Sequence, residues 1–282
     1  MKNNSSKNMK IKYIKLSIIS VIVFCCSMQL FGNDNPVASD SSAISNPQSE
    51  SSISILPNGY EPRYIIYMPN AGMLGNAHYA IGMQMINNGG FVFEFTVAPF
   101  PFLNLGVSYG GSGIVGNTDI EMQYVPGFHL KSRIINETED IPAFAIGFNS
   151  QGSGQYSRTD KRFEVYSPGF YLAASKCYSW YVGQISLHAG LNYSIDEGSK
   201  GINAYCGFEQ IILKYVSLNL EFNPNFNETN DMKNKMILNA SLRFKLTKSI
   251  MFEFQFRDLF KNSIYSNSIN RFIDFEYIGR FK

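Results

Sequence analysis

The sequence predicts an all-β protein, an antiparallel transmembrane up-and-down β-barrel of about 12 strands, and three observations predict it. Apolar residues recur at every second position, connectors alternate between short and longer ones, and the chain is rich in aromatics but poor in charge. Aromatic residues make up 15% and charged residues 16%, against about 25% charged in soluble domains. The mean hydropathy is nevertheless −0.11. Asn, Ser and Gly occupy the places that Leu and Ala take in helical membrane proteins, which suits strands that are apolar on one face only. A water-soluble β-sandwich is the alternative fold, since its strands alternate too.

The chain opens with Lys2, Lys7, Lys10, Lys12 and Lys15, no acid before residue 16, and an apolar run from Leu16 to Leu30. That order predicts a secretory signal peptide over 1–32, cut after Ser27 or after Gly32. A membrane anchor needs about 20 apolar residues and is disfavoured. Lipidation at Cys25 or Cys26 is disfavoured by the bulky Phe24 and by the lack of a Leu three positions upstream. Residues 33–77 then read as a disordered periplasmic tether and barrel entry, on the Ser, Asn, Asp and Pro of 33–56.

The barrel is expected over 78–282, with strands near 78–87, 90–98, 102–110, 122–135, 142–151, 163–176, 181–194, 201–211, 214–225, 235–246, 250–259 and 270–281. Alternation is plainest in Phe91, Phe93, Phe95 and Val97, in Val216, Leu218, Leu220 and Phe222, and in Leu238, Ala240, Leu242 and Phe244. Short connectors fall at Pro99–Pro101, 136–141, Cys177–Trp180, 212–213 and 247–249, and longer ones at 111–121, 152–162, 195–200, 226–234 and 260–269. Short periplasmic turns and longer outer loops follow if both termini are periplasmic, which an even strand count allows. Tyr109, Tyr124, Tyr178, Trp180, Tyr181, Tyr193, Tyr215 and Tyr277 lie near strand ends, where interfacial girdles sit. Phe281 resembles the terminal aromatic read by the barrel-assembly machinery, although Lys282 follows it. That machinery and outer-membrane lipid are therefore the expected partners.

The stretches MPNAGMLGNAHYAIGMQMINNGG, FLNLGVSYGGSGIVG, VPGFHLKSRII and PAFAIGFNSQGSG resemble the N-terminal part of YjbH-like outer-membrane barrels over residues 68–154. The resemblance implies a bacterial outer-membrane protein connected with exopolysaccharide export, and it carries no catalytic residues.

Chemistry-bearing motifs are sparse. Gly111, Gly113 and Gly116 match a phosphate-loop spacing, but Asn117 stands where the Lys is needed and a strand pattern follows instead of a helix. Ser186 and His188 share one face of a strand, the lumen side, with no carboxylate placed by sequence to orient the imidazole. His78 and His129 are solitary, and Lys131 and Arg133 share the face of His129 and would repel a cation. No cofactor, metal or catalytic residue is expected, and a net charge of +2 without a basic cluster outside the leader argues against nucleic acid. Cys177 and Cys206 are expected to stay unbridged.

The informative set is the charged residues on the inward face: Glu94, Lys131, Arg133, Glu221, Arg243, Glu253, Arg257, Asp274, Glu276 and Arg280, joined by Glu209, Lys235 and Lys245. Arg243 is expected opposite Glu253, Arg257 beside Asp274, and Gln255 beside Glu276. Two readings stay open: a narrow porin-like channel for ions or small polar solutes, and a non-conducting barrel closed by its own salt bridges and serving envelope assembly or export. An outer-membrane enzyme is the third.

Overall fold

A computed structural model describes residues 61–117, 119–212, 215–229, 235–263 and 268–281. The expected leader, and the tether as far as residue 60, lie outside these residues.

Alternation converts directly into two faces of a sheet. Phe95 is 44% exposed and its neighbour Thr96 only 2%, because successive strand residues point to opposite sides. The same rule runs through β1 (His78–Ile86), β2 (Gly90–Phe100), β3 (Leu103–Ser112), the two-residue β4 (Glu121–Met122), β5 (Gly127–Ile135) and β6 (Ala143–Asn149). After a hairpin of β7 (Ser153–Ser157) and β8 (Arg162–Val165) come β9 (Gly169–Trp180), β10 (Gly183–Tyr193), β11 (Asn203–Ile212) and β12 (Val216–Asn223). The last are β13 (Ile237–Lys245), β14 (Ile250–Arg257) and β15 (Asn270–Arg280).

Thirteen strands form one sheet in the order β2-β1-β15-β14-β13-β12-β11-β10-β9-β6-β5-β3-β4, and β2 also pairs with β3. β4 only extends the end of β3 through Gly111↔Met122 and Ser112↔Glu121. The remaining twelve close an antiparallel barrel, sealed where β1 meets β15 from His78↔Arg280 to Gln84↔Asp274. Each barrel strand thus has two partners, so no edge is left unpaired. Outward side chains such as Phe93, Val107, Leu130, Phe170, Leu191 and Phe254 are exposed, whereas Glu209, Glu221, Glu253, Asn219 and Gln255 are buried on the other face. This is an inside-out distribution, apolar outside and polar inside, which a membrane-spanning barrel requires.

Several boundaries differ from the sequence reading. The expected strand 163–176 is two elements, with β8 in a loop hairpin and β9 starting at Gly169. Pro168 lacks the N–H a ladder needs and Gly169 has a φ of 63°, so the chain breaks there. The turn expected at Cys177–Trp180 lies beyond Trp180, and the strand expected from 122 begins at Gly127. Arg243 does face Glu253. Arg257, however, faces Asn270, while Glu253 faces Asp274 and Gln255 faces Phe272. Hydrophobic alternation fixes which face a residue takes but leaves slips of even number open. Here β15 must satisfy β14 and β1 together, and that settles the register. Cys177 pairs across with Ser186 and Cys206 with Ala189, three residues apart along β10, and both are reduced.

The largest departure concerns residues 61–77, read from sequence as the end of the tether. Ile65, Ile66, Met68, Ala71, Met73 and Leu74 are at most 3% exposed. The segment enters the barrel at the end that carries the short turns, where Leu74 packs on Ala80 and Ala98. It reverses deep inside, with a bridge between Tyr64 and Pro69. The Ile65 N–H donates to the Met68 carbonyl at 2.9 Å and the Asn70 N–H to the Arg63 carbonyl at 3.3 Å. Gly72 lies where the two arms meet, and a Cβ there would collide with the Pro62 carbonyl oxygen. Ala77, at a φ of 56°, turns the chain out into β1.

Candidate functional site: an occupied lumen

A buried peptide segment must satisfy its own N–H and C=O groups, and side chains from the barrel wall do most of that here. Glu221 on β12 receives three consecutive N–H groups at the tip, from Ile66 (3.0 Å), Tyr67 (2.8 Å) and Met68 (2.8 Å), all on Oε2. Its Oε1 accepts from Asn239 at 2.8 Å. Arg243 on β13 donates to the carbonyls of Tyr64 (3.2 Å) and Ile65 (2.6 Å). Lys131 on β5 reaches the carbonyls of Arg63 (2.6 Å) and Gly72 (3.2 Å), and Arg133 reaches that of Ala71 through Nε (3.0 Å) and a terminal nitrogen (2.7 Å). The Tyr205 hydroxyl donates to the Pro69 carbonyl at 2.7 Å, and the Ser175 hydroxyl accepts from the Ala71 N–H at 3.0 Å.

Ion pairs complete the lumen. Arg63, carried in by the segment, bridges Glu94 on β2 at 3.0 Å and Glu276 on β15. Glu61 pairs with Arg133. Arg243 also holds Glu253 at 3.0 Å and Glu209 at 3.2 Å, so a single guanidinium joins three strands and the segment. Charge-assisted bonds of this kind are about twice as strong as neutral ones.

At the long-loop end the β7–β8 hairpin covers the segment. Tyr67 donates its hydroxyl to the Tyr166 carbonyl at 2.8 Å. Arg257 donates to Ser153 of the hairpin and to the Gln255 side-chain oxygen at 3.0 and 2.7 Å, and lies 5.4 Å from the Tyr67 ring centroid and 4.9 Å from that of Phe272. The hairpin is tied to the neighbouring loop by Arg162, which donates to both carboxylate oxygens of Glu228 at 3.0 and 2.8 Å and stacks 3.7 Å from the Tyr166 ring centroid. Asp196 accepts from the backbone and hydroxyl of Ser167, both at 2.9 Å. Burial nevertheless pushes the Asp196 carboxyl up.

Two spaces remain. A cavity of about 90 Å³ lies between the segment and the wall, lined by residues that include Arg63, Glu94, Glu253, Asp274 and Glu276. A recess of about 340 Å³ at the short-turn end is bounded by Glu61, Leu74, His78 and Tyr277–Arg280. Arg63, Glu94 and Glu276 line the cavity, and the recess begins at the next residue of β15, Tyr277.

The ten charged residues singled out from sequence are distributed as follows. Glu94, Lys131, Arg133, Glu221, Arg243 and Glu276 contact the inserted segment directly. Glu253 acts through Arg243, Asp274 lines the cavity, and Arg257 sits against Tyr67. Arg280 is exposed at the rim and bounds the recess. Sequence reasoning missed Arg63, Tyr67, Arg162 and Glu228. The available signal was the change at residue 62, where a Ser/Asn-rich stretch gives way to PRYIIYMPNAGML, too apolar for a solvated tether.

His188 does have an acid near it. Its Nδ1 is 2.8 Å from the Ser175 hydroxyl and its Nε2 is 3.8 Å from Glu209 on β11. This Ser–His–Glu set uses Ser175 and not Ser186, the neighbour of His188 weighed from sequence. Ser175 is 3% exposed beneath the segment, its oxygen already accepts the Ala71 N–H, and Glu209 is engaged by Arg243. The set is a hydrogen-bonded part of the wall, with no room for a substrate. No group of three metal-ligating side chains occurs among the described residues.

No family model matches the chain, and no curated protein does. Among solved structures, the outer membrane protein Omp33 of Acinetobacter baumannii is similar over 74% of this chain and 99% of its own, at 10% identity and a TM-score of 0.42. The KdgM porin is similar over 73% of this chain and 99% of its own, at 9% identity and a TM-score of 0.42. The YjbH-like resemblance drawn from residues 68–154 is corrected: no family model matches the chain, and the solved structures found carry other names, Omp33 and KdgM porin. MPNAGMLG is the descending arm of the inserted segment, where small residues answer to close packing against Ala143 and Ala145.

Proposed function

We propose that this chain is a narrow porin-like channel of the bacterial outer membrane, passing ions or small polar solutes along the wall formed by β14, β15, β1 and β2. One observation carries the reading: a closed ring of twelve strands, apolar outside, encloses a lumen lined by both signs of charge with a cavity of about 90 Å³ beside the segment. Small barrels fill with side chains and porins of 16 or more strands stay open. Twelve strands leave a lumen that one hairpin of chain nearly fills. In this reading Arg63 is the bar across the path, because it reaches from the inserted segment to Glu94 and Glu276 on the wall of the cavity.

In this reading both termini lie in the periplasm, because the short turns belong on that side, and the β7–β8 hairpin points toward the cell exterior. Outer-membrane lipid and the barrel-assembly machinery are the partners. The protein acts as a channel and not as an enzyme. The export reading rested on the family resemblance and goes with it.

Planar-bilayer recording tests the proposal. Arg63→Ala is expected to raise conductance severalfold over the wild type and to shift preference toward cations, since it uncovers Glu94 and Glu276. Silence of both proteins, each shown to be folded by a migration difference between unboiled and boiled samples, would overturn the channel.

A further inference from the structure

The lumen grips the inserted segment chiefly by its main chain. Three consecutive N–H groups go to Glu221, and the Ala71 N–H goes to Ser175. Six carbonyls, those of Arg63, Tyr64, Ile65, Pro69, Ala71 and Gly72, are held by Lys131, Arg243, Tyr205 and Arg133. These partners come from β5, β9, β11, β12 and β13, five of the twelve barrel strands. Five of these carbonyls face a basic side chain and three of the four N–H groups face an acid, with the Tyr205 and Ser175 hydroxyls taking the others, a division of labour that a peptide main chain satisfies and a loose ion or sugar does not. Covalent attachment contributes little to this fit. Gly75 and Asn76, which join the segment to β1, are exposed, and the contacts all lie on the far side of them.

We infer that the lumen is a peptide-binding site that reads main chain, for a short strand–turn–strand peptide with a cation ahead of the turn and a small residue followed by Gly on the returning arm. Residues 61–75 are its resident ligand, and the same segment supplied as a separate peptide occupies it. Arg63 supplies the cation for Glu94 and Glu276. Ala71 fits against Ala143 and Ala145, and Gly72 fits against Pro62. The inference rests on lumen geometry and not on conduction, so a barrel that binds the peptide and passes no current would sink the channel reading alone.

The test uses full-length protein with a protease site inserted between Gly75 and Asn76. After cleavage, a fluorescent synthetic peptide of residues 61–75 is expected to exchange with the resident fragment and give a saturable rise in anisotropy. N-methylation of Tyr67 in that peptide, which keeps every side chain but removes the central donor to Glu221, is expected to weaken binding at least tenfold. On a Glu221→Gln barrel the same methylation is expected to change binding less than threefold, because the acceptor it addresses is already altered. Equal effects on both barrels would show steric exclusion and overturn main-chain reading. Failure of the peptide to enter a cleaved, folded barrel would overturn the site. If cleavage destroys the fold, residues 76–282 are refolded with and without the peptide: rescue of the heat-modifiable band supports the site, and no rescue refutes it.

Discussion

Arg243 and Glu221 show how far single side chains organise this lumen. Arg243 faces Glu209, Glu253 and two carbonyls of the segment, and it is 4% exposed. Replacing it with Met keeps much of the volume but leaves two buried carboxylates without their shared cation, a loss of about 3–5 kcal/mol when one partner of a buried pair is removed. Urea unfolding in lipid vesicles is expected to show that drop, and a midpoint within error of wild type would contradict the pairing. At this scale the sequence was informative: alternation put Arg243 opposite Glu253 and named Glu221 as inward. It was silent on Glu221's role, because the three N–H groups it accepts come from a segment 153–155 residues earlier in the chain. Parity gives the face of a residue, while a partner across the lumen depends on the whole closure.

Among the elements, the β7–β8 hairpin differs from the barrel strands, since side-chain hydrogen bonds and ion pairs, and not a shared ladder, tie it to the barrel and its loops. Glu164 on β8 accepts from Asn87 at 2.7 Å, yet burial raises its carboxyl above the usual range, as it does for Asp196 in the loop beside it. An acid whose folded pKa is raised contributes stability that is fully present below the unfolded value, near 4, and is lost as pH rises through the folded value. The hairpin is therefore expected to dock more firmly at pH 5 than at pH 7.5. Hydrogen exchange of residues 153–165, corrected for intrinsic rates, should show greater protection at the lower pH in wild type and a smaller difference in Glu164→Gln combined with Asp196→Asn. Protection that increases with pH would contradict the argument. This hairpin was the element least legible in the sequence. SGQYS and RFEV alternate too briefly to stand apart from a loop, and the second run was absorbed into the strand that follows because Pro168 and Gly169 were not weighted as a break.

For the whole molecule, the fold was readable because transmembrane barrels repeat one rule, outward apolar and inward polar, over every strand, and because connector lengths alternate with it. The contents of the lumen were not readable that way. Residues 61–76 obey no period, and their burial follows from the barrel around them, not from local pattern. A barrel whose inward charges are answered by its own N-terminal chain is neither the open tube nor the simple salt-bridged plug that the inward residues alone suggested. The most direct test of that arrangement is cross-linking inside the barrel. With Cys177 and Cys206 replaced by Ser, cysteines are placed at Ala71 and at Ala143, or at Ala71 and Ala145, which form one fully buried cluster. On oxidation in intact membranes, an intrachain disulfide is expected in at least one pair, visible as a shift in non-reducing gels of the denatured protein. No cross-link in either pair, with the cysteine at position 71 instead reacting freely with a bulky water-soluble maleimide, would place the segment outside the lumen and contradict the account.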